Sequence, residues 1–125
     1  MTDFSDLVGK TLTRIDGAVG DEVMTFTTSE GERYRMAHDQ DCCESVDLDD
    51  ICGDLSDLIG SPIVLAEEST SDAAPDGMEP REYHHESETW TFYRLATTKG
   101  FVTIRWYGTS NGYYSESVYF ERITP

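Results

Sequence analysis

Three aromatic and β-branched runs near the C-terminus, Thr89 to Ala96, Phe101 to Tyr107 and Tyr113 to Ile123, constrain this chain more than any other feature. Turn-forming residues separate them: Thr97-Thr98-Lys99-Gly100 after the first run and Gly108-Thr109-Ser110-Asn111-Gly112 after the second. Alternation with a period of two sends successive side chains to opposite faces of a strand, and rings and β-branched groups suit a pleated, half-buried surface. A three-stranded antiparallel meander is the expected outcome. Trp90, Phe92, Val102, Ile104, Trp106, Tyr114, Val118 and Phe120 form the alternating set expected in the core. The opposite set, with Tyr93, Thr103, Arg105, Tyr107, Tyr113, Ser115, Ser117 and Tyr119, is rich in rings and hydroxyls and is expected on the outside, available to a ligand or partner.

Upstream, Thr11 to Ile15 and Glu22 to Thr28 read as a hairpin around Asp16-Gly17 and Gly20, and Arg33 to His38 follows as a third strand. Val46 and Leu48 fit a short strand, and Leu55, Leu58 and Ile59 behind Asp54 fit a short helix closed by Gly60. A short N-terminal turn at Asp3 to Val8 and a strand at Pro62 to Ala66, apolar enough to be buried on both faces, complete the set. Glu67 to Glu86 combines Ser, Asp, Pro and Gly with little to bury and is expected to be a mobile loop inside one domain. The expected fold is therefore α+β, mainly antiparallel β-sheet of about seven or eight strands with one or two short helices, over a single domain spanning residues 1–125.

Charge then narrows the function. The net charge is −16, and it is uneven: residues 1–90 hold 23 acids against five bases, whereas 91–125 hold two acids against four bases. Asp39 to Asp57 alone contributes Asp39, Asp41, Glu44, Asp47, Asp49, Asp50, Asp54 and Asp57 with no base among them. Such a surface repels nucleic acid and anionic membranes and attracts basic protein surfaces. These eight carboxylates are the candidate binding surface, and solvation in a high-salt source, to which the low lysine count is suited, is the competing explanation of the acidity. No apolar run is long enough to cross a bilayer as a helix, and a cytoplasmic location with three reduced cysteines is expected.

Chemistry is concentrated in His38-Asp39-Gln40-Asp41-Cys42-Cys43-Glu44. Zinc held by His38, Cys42, Cys43 and Cys52 is disfavoured because adjacent cysteines do not readily aim both sulfurs at one ion and no Cys-x-x-Cys pair is present. A Cys-His nucleophile pair is opposed by Asp39, Asp41 and Glu44, whose charges raise a neighbouring thiol's pKa. Phosphate loops, nucleophile elbows and metalloprotease helices are missing from the sequence. No catalytic residue, metal or cofactor is therefore assigned, and a cysteine or metal enzyme centred on this segment stays as an alternative. A second alternative is a pocket for a small polar or nucleotide-like molecule made from His38, Trp90, Arg105, Trp106, Asn111 and Tyr113, with Arg105 facing the anion and a homo-oligomer completing the pocket.

The segments HDQDCCESV (38–46), GDLSDLIG (53–60), TWTFYRLATTKG (89–100) and WYGTSNGYYSE (106–116) resemble a family of small uncharacterised proteins of phages and bacterial genomes. The resemblance covers most of the chain outside the loop and carries no mechanism. It implies a mobile-element setting, in which small acidic proteins act by blocking host machinery. The expected function is a non-enzymatic acidic protein that binds a host protein with a basic surface, such as a nucleic-acid-handling defence enzyme.

Overall fold

The computed structural model describes residues 3–40, 43–71, 87–110 and 115–123. Its strands, in chain order, are β1 (Leu12–Asp16), β2 (Val23–Thr28), β3 (Arg33–Ala37), β4 (Ser45–Cys52), β5 (Leu65–Ser71), β6 (Ser87–Thr97), β7 (Gly100–Ser110) and β8 (Tyr119–Arg122). Two single 3₁₀ turns, Phe4–Leu7 and Leu55–Leu58, supply the helical content. Asp54 caps the second turn by accepting from the Ser56 amide and hydroxyl, bonds that hold its carboxyl below the usual range.

All pairings within the two sheets are antiparallel, in the orders β1-β2-β3-β8 and β4-β7-β6-β5. The sheets share one core. Met24, Phe26, Tyr34, Met36 and Phe120 from the first meet Val46, Leu48, Tyr93, Leu95, Val102, Ile104 and Trp106 from the second. Phe4 sits edge-on to Tyr93 at 4.7 Å and to Phe120 at 5.3 Å, tying the N-terminal turn to both sheets. The Trp106 indole N–H reaches Met36 Sδ at 3.0 Å across the layer. Burial pushes the Tyr93 phenol well above its ordinary pKa, with the Glu68 carboxylate adding to the shift; its hydroxyl lies 3.4 Å from the Val118 carbonyl.

Two expectations about the C-terminal region are corrected here. The β6–β7 connection is a two-residue loop, Thr98-Lys99, with Thr97 opposite Gly100, so Leu95 pairs with Val102 and Tyr93 with Ile104. Cross-strand partners share a face, and Tyr93 and Leu95 therefore enter the core while Trp90 and Phe92 turn to the other side of the sheet. The final strand does not extend a meander. β8 crosses to the first sheet and pairs with β3, where Phe120 faces the shared core. Further upstream, β5 runs on through Glu67–Ser71, the start of the segment expected to be loop, and Val64 is exposed rather than buried on both faces. The rest of that segment, 72–86, lies outside the described residues.

Glu68, on the edge strand β5, has its pKa raised, first by partial desolvation and second by the Asp3 carboxylate. A folded-state pKa above the unfolded value means that the ionised form costs stability, and the cost fades as pH falls through the folded pKa. Glu68→Gln is therefore expected to melt higher than the parent at about pH 7, with the advantage gone below about pH 4. Melting curves at the two pH values check this, and an equal difference at both would count against it.

Candidate functional site

The eight candidate acids do not form one exposed stripe. Asp39, Asp50 and Asp54 are exposed, Asp47, Asp49 and Asp57 are half-buried, and Glu44 is buried at 4% exposure; Asp41 lies outside the described residues. Asp49 occupies a bulge between Leu48 and Asp50, and its carboxylate meets Arg105 Nε at 2.8 Å on the outer face of the second sheet. Part of this acidity therefore has structural partners.

A second acidic segment joins the first through the backbone. Gly20 N–H donates to the Leu48 carbonyl at 2.8 Å, and Leu48 N–H to the Asp21 carbonyl at 2.9 Å. The β1–β2 loop is thereby laid along the β4 edge, with exposed Asp21 and Glu22 beside Asp47, Asp49 and Asp50. Gly20 takes φ +97, which favours glycine at the point where the loop turns into this contact.

Between the end of β3 and the start of β4, His38, Asp39, Gln40 and Glu44 line an open cleft of ≈980 Å³, completed by Arg35, Ser115, Ser117, Tyr119 and Glu121. At its base His38 Nε2 lies 2.8 Å from Glu44 Oε2 and His38 Nδ1 lies 2.7 Å from the Ser117 carbonyl, with the two side chains 4% and 0% exposed. A carbonyl only accepts, so Nδ1 carries a hydrogen, and one further proton is shared between Nε2 and the carboxylate. The Gln40 amide donates to the Glu44 carbonyl at 2.8 Å and to Oε1 at 3.2 Å. Both ring nitrogens are thus occupied, and His38 ties the β3–β4 connection to the segment that leads into β8.

A neighbouring carboxylate is organised in the same way. Glu116, 7% exposed, accepts from the Thr89 hydroxyl at 2.8 Å and from the Ser110 hydroxyl. Gly108 leaves it room, since a Cβ there would sit 2.9 Å from the Glu116 Cβ and 3.1 Å from the Val46 methyl. The alternation of β7 marks 108 as core-facing, but nothing in the sequence shows that a carboxylate fills the space.

The residues proposed for a small-molecule pocket are dispersed. His38 lies at the cleft base and Trp106 is between the sheets. Trp90 and Arg105 lie on the outer face of the second sheet; the Trp90 ring is 5.1 Å from Tyr107, 1% exposed, its Nε1 unpaired among the described residues. Asn111 and Tyr113 lie outside the described residues. The imagined zinc ligands are also separated in role: His38 has both nitrogens engaged, Cys52 is free and exposed at the far end of β4, and Cys42 is outside the described residues. Cys43 is disulfide-bonded, which corrects the expectation of three reduced thiols. Among the described residues no group of three or more His, Cys, Asp or Glu side chains is placed to hold a metal ion.

A family model described as a domain of unknown function, DUF7448, matches residues 5–120. The chain belongs to this family. The matched DUF7448 region takes in β1 to β7, the first two residues of β8, the β1–β2 loop and the residues lining the cleft up to Phe120. Comparison with curated proteins and with solved structures finds no match in either. No helix among the described residues is long and apolar enough to cross a membrane.

Proposed function

We propose that this DUF7448 protein is a non-enzymatic acidic binding protein that occupies a basic surface on a nucleic-acid-handling protein of the host in which a mobile element resides. One observation carries the reading: the Gly20–Asp21 and Leu48 backbone pair gathers carboxylates from two distant stretches, Asp21 and Glu22 with Asp47 and Asp50, on one edge, beside Asp49 whose charge is paired with Arg105. Carboxylates on a strand and a backbone-anchored loop lose little conformational entropy on meeting a partner, so their field is presented already organised. Direct binding to DNA or RNA is opposed by the same charge. The edge position also serves the monomer, because charges on an outer strand discourage pairing with another sheet.

The reading predicts association that is tight at low salt and weakens about tenfold or more as ionic strength rises past the physiological value. The double variant Glu22→Lys/Asp50→Lys, altering two exposed side chains and sparing Asp21, whose carboxylate accepts the Ala18 amide at 2.8 Å, is expected to abolish capture of the partner from native host lysate while leaving the melting temperature near that of the parent. Binding that survives both high salt and charge reversal would overturn the proposal, as would failure to engage any basic nucleic-acid-handling protein at low salt.

A further inference from the structure

The cleft lined by His38, Asp39, Gln40 and Glu44 on one side and by Ser115, Ser117, Tyr119 and Glu121 on the other carries a charge imbalance among its described residues. The His38–Glu44 pair is neutral wherever its shared proton sits, because an imidazolium with a carboxylate and an imidazole with a carboxylic acid both sum to zero. Among the described residues, the remaining ionised groups lining the cleft are Arg35, Asp39 and Glu121. Arg35 has its charge paired, since one terminal nitrogen bonds Glu121 and its guanidinium carbon lies 5.9 Å from the centroid of the Tyr119 ring, while its buried Nε has no hydrogen-bond partner among the described residues and is left for an acceptor such as a main-chain carbonyl. Asp39 is exposed at the rim and has no ion-pair partner among the described residues. An acceptor accompanies it: the Ser115 and Ser117 hydroxyls face each other at 2.7 Å, Ser115 Oγ also accepts from the Ser117 amide at 3.2 Å, and the Ser117 oxygen keeps a lone pair for a donor whichever hydroxyl donates.

We propose that this cleft receives a lysine or arginine side chain from an extended segment of the basic partner, with Asp39 as the counter-ion. The inference rests on the reading of the protein as an acidic binder and adds a second, separate contact to it. Arg35 shows the mode of recognition from inside the molecule: a guanidinium held by a carboxylate and over a ring. Asp39 offers the same charge without the cation. A volume of ≈980 Å³ is far larger than one side chain, which favours a stretch of main chain carrying the cation over a free small amine. Because His38, Glu44 and Gln40 at the cleft's base are already held by their mutual hydrogen bonds, the incoming group meets a surface that is formed in advance and pays little to organise it.

The experiment is a titration of the ¹⁵N-labelled full chain with a capped glycine pentapeptide carrying one central arginine, followed by amide chemical shifts, with the norleucine peptide as control. Expected are shifts confined to residues 35–40 and 115–121, their absence with norleucine, and roughly threefold weaker binding for Asp39→Asn with no change for the exposed β5 variant Glu67→Gln. Equal shifts with norleucine, shifts centred instead on residues 20–22 and 47–50, or an unaffected Asp39→Asn would each overturn the cleft assignment. If the arginine peptide fails while the partner from host lysate still binds in a manner sensitive to Glu22→Lys/Asp50→Lys, the cleft inference falls and the acidic-edge reading stands. If that capture fails as well, both fall.

Discussion

Glu44→Ala is expected to lose about 3–5 kcal/mol of folding stability, the range for removing one partner of a buried ion pair. The reason is the number of groups the carboxylate satisfies. His38 Nε2 would face a void while its Nδ1 stayed fixed on the Ser117 carbonyl, and the Gln40 amide would lose one of its two acceptors. Glu44→Gln should be milder, because a carboxamide donates to a neutral Nε2 with the other nitrogen still protonated. The double variant His38→Ala/Glu44→Ala should lose less than the sum of its single changes, since each single change already strands the other partner. Urea denaturation of the four proteins measures the coupling. Additive losses would mean that the pair is not the clamp joining the β3–β4 connection to the segment before β8.

Gly53→Ala is expected to cost about 3 kcal/mol or more, through two mechanisms acting at one residue. Gly53 has φ +113, where an L side chain is strained, and a Cβ built there would lie 2.6 Å from the Phe101 carbonyl oxygen and 3.2 Å from the Val102 Cα. The obstacle is backbone of a central strand paired on both sides, so it cannot step aside as a side-chain tip can. A fall in melting temperature of about 10 °C or more is the expected readout. Gly31→Ala is the control: it shares a positive φ of 84 but meets no atom within 4 Å, and it should cost clearly less. Equal losses at the two positions would show that strain alone, without the clash, sets the penalty.

The strands were legible where two signals agreed. β2, β3, β6 and β7 combine alternation with turn residues at both ends, and the structure places strands within a few residues of each expected span. Their faces were less legible. Thr97-Thr98-Lys99-Gly100 reads as a four-residue turn, but the flanking Thr97 and Gly100 are the last paired residues, and that register decides which face of β6 meets the core. Trp90 and Phe92 look like the core face because they are the largest apolar side chains in the run; pairing across the hairpin selects Tyr93 and Leu95 instead. β5 was hidden for another reason: Glu67, Glu68, Ser69 and Thr70 are all exposed on an edge strand, so they carry no alternation to read.

The candidate site divides in the same way. The density of acids between Asp39 and Asp57 is plain in the sequence, but Glu44 looks there like any other member of the run. Its burial depends on a histidine six residues earlier, a glutamine four residues earlier and the placement of Ser117 beside them. Likewise, Asp21 and Glu22 are unremarkable until the β1–β2 loop is hydrogen-bonded to Leu48.

By itself the sequence determined that this chain is an antiparallel β protein with a strongly acidic character, because strand periodicity and charge are properties of neighbouring residues and are summed locally. Only the tertiary structure decided which strands share a sheet, which faces are buried, and which carboxylates are recruited inward or left at the surface. Those outcomes turn on contacts between residues tens of positions apart, where one residue of register or one unpaired donor reverses the energetic preference.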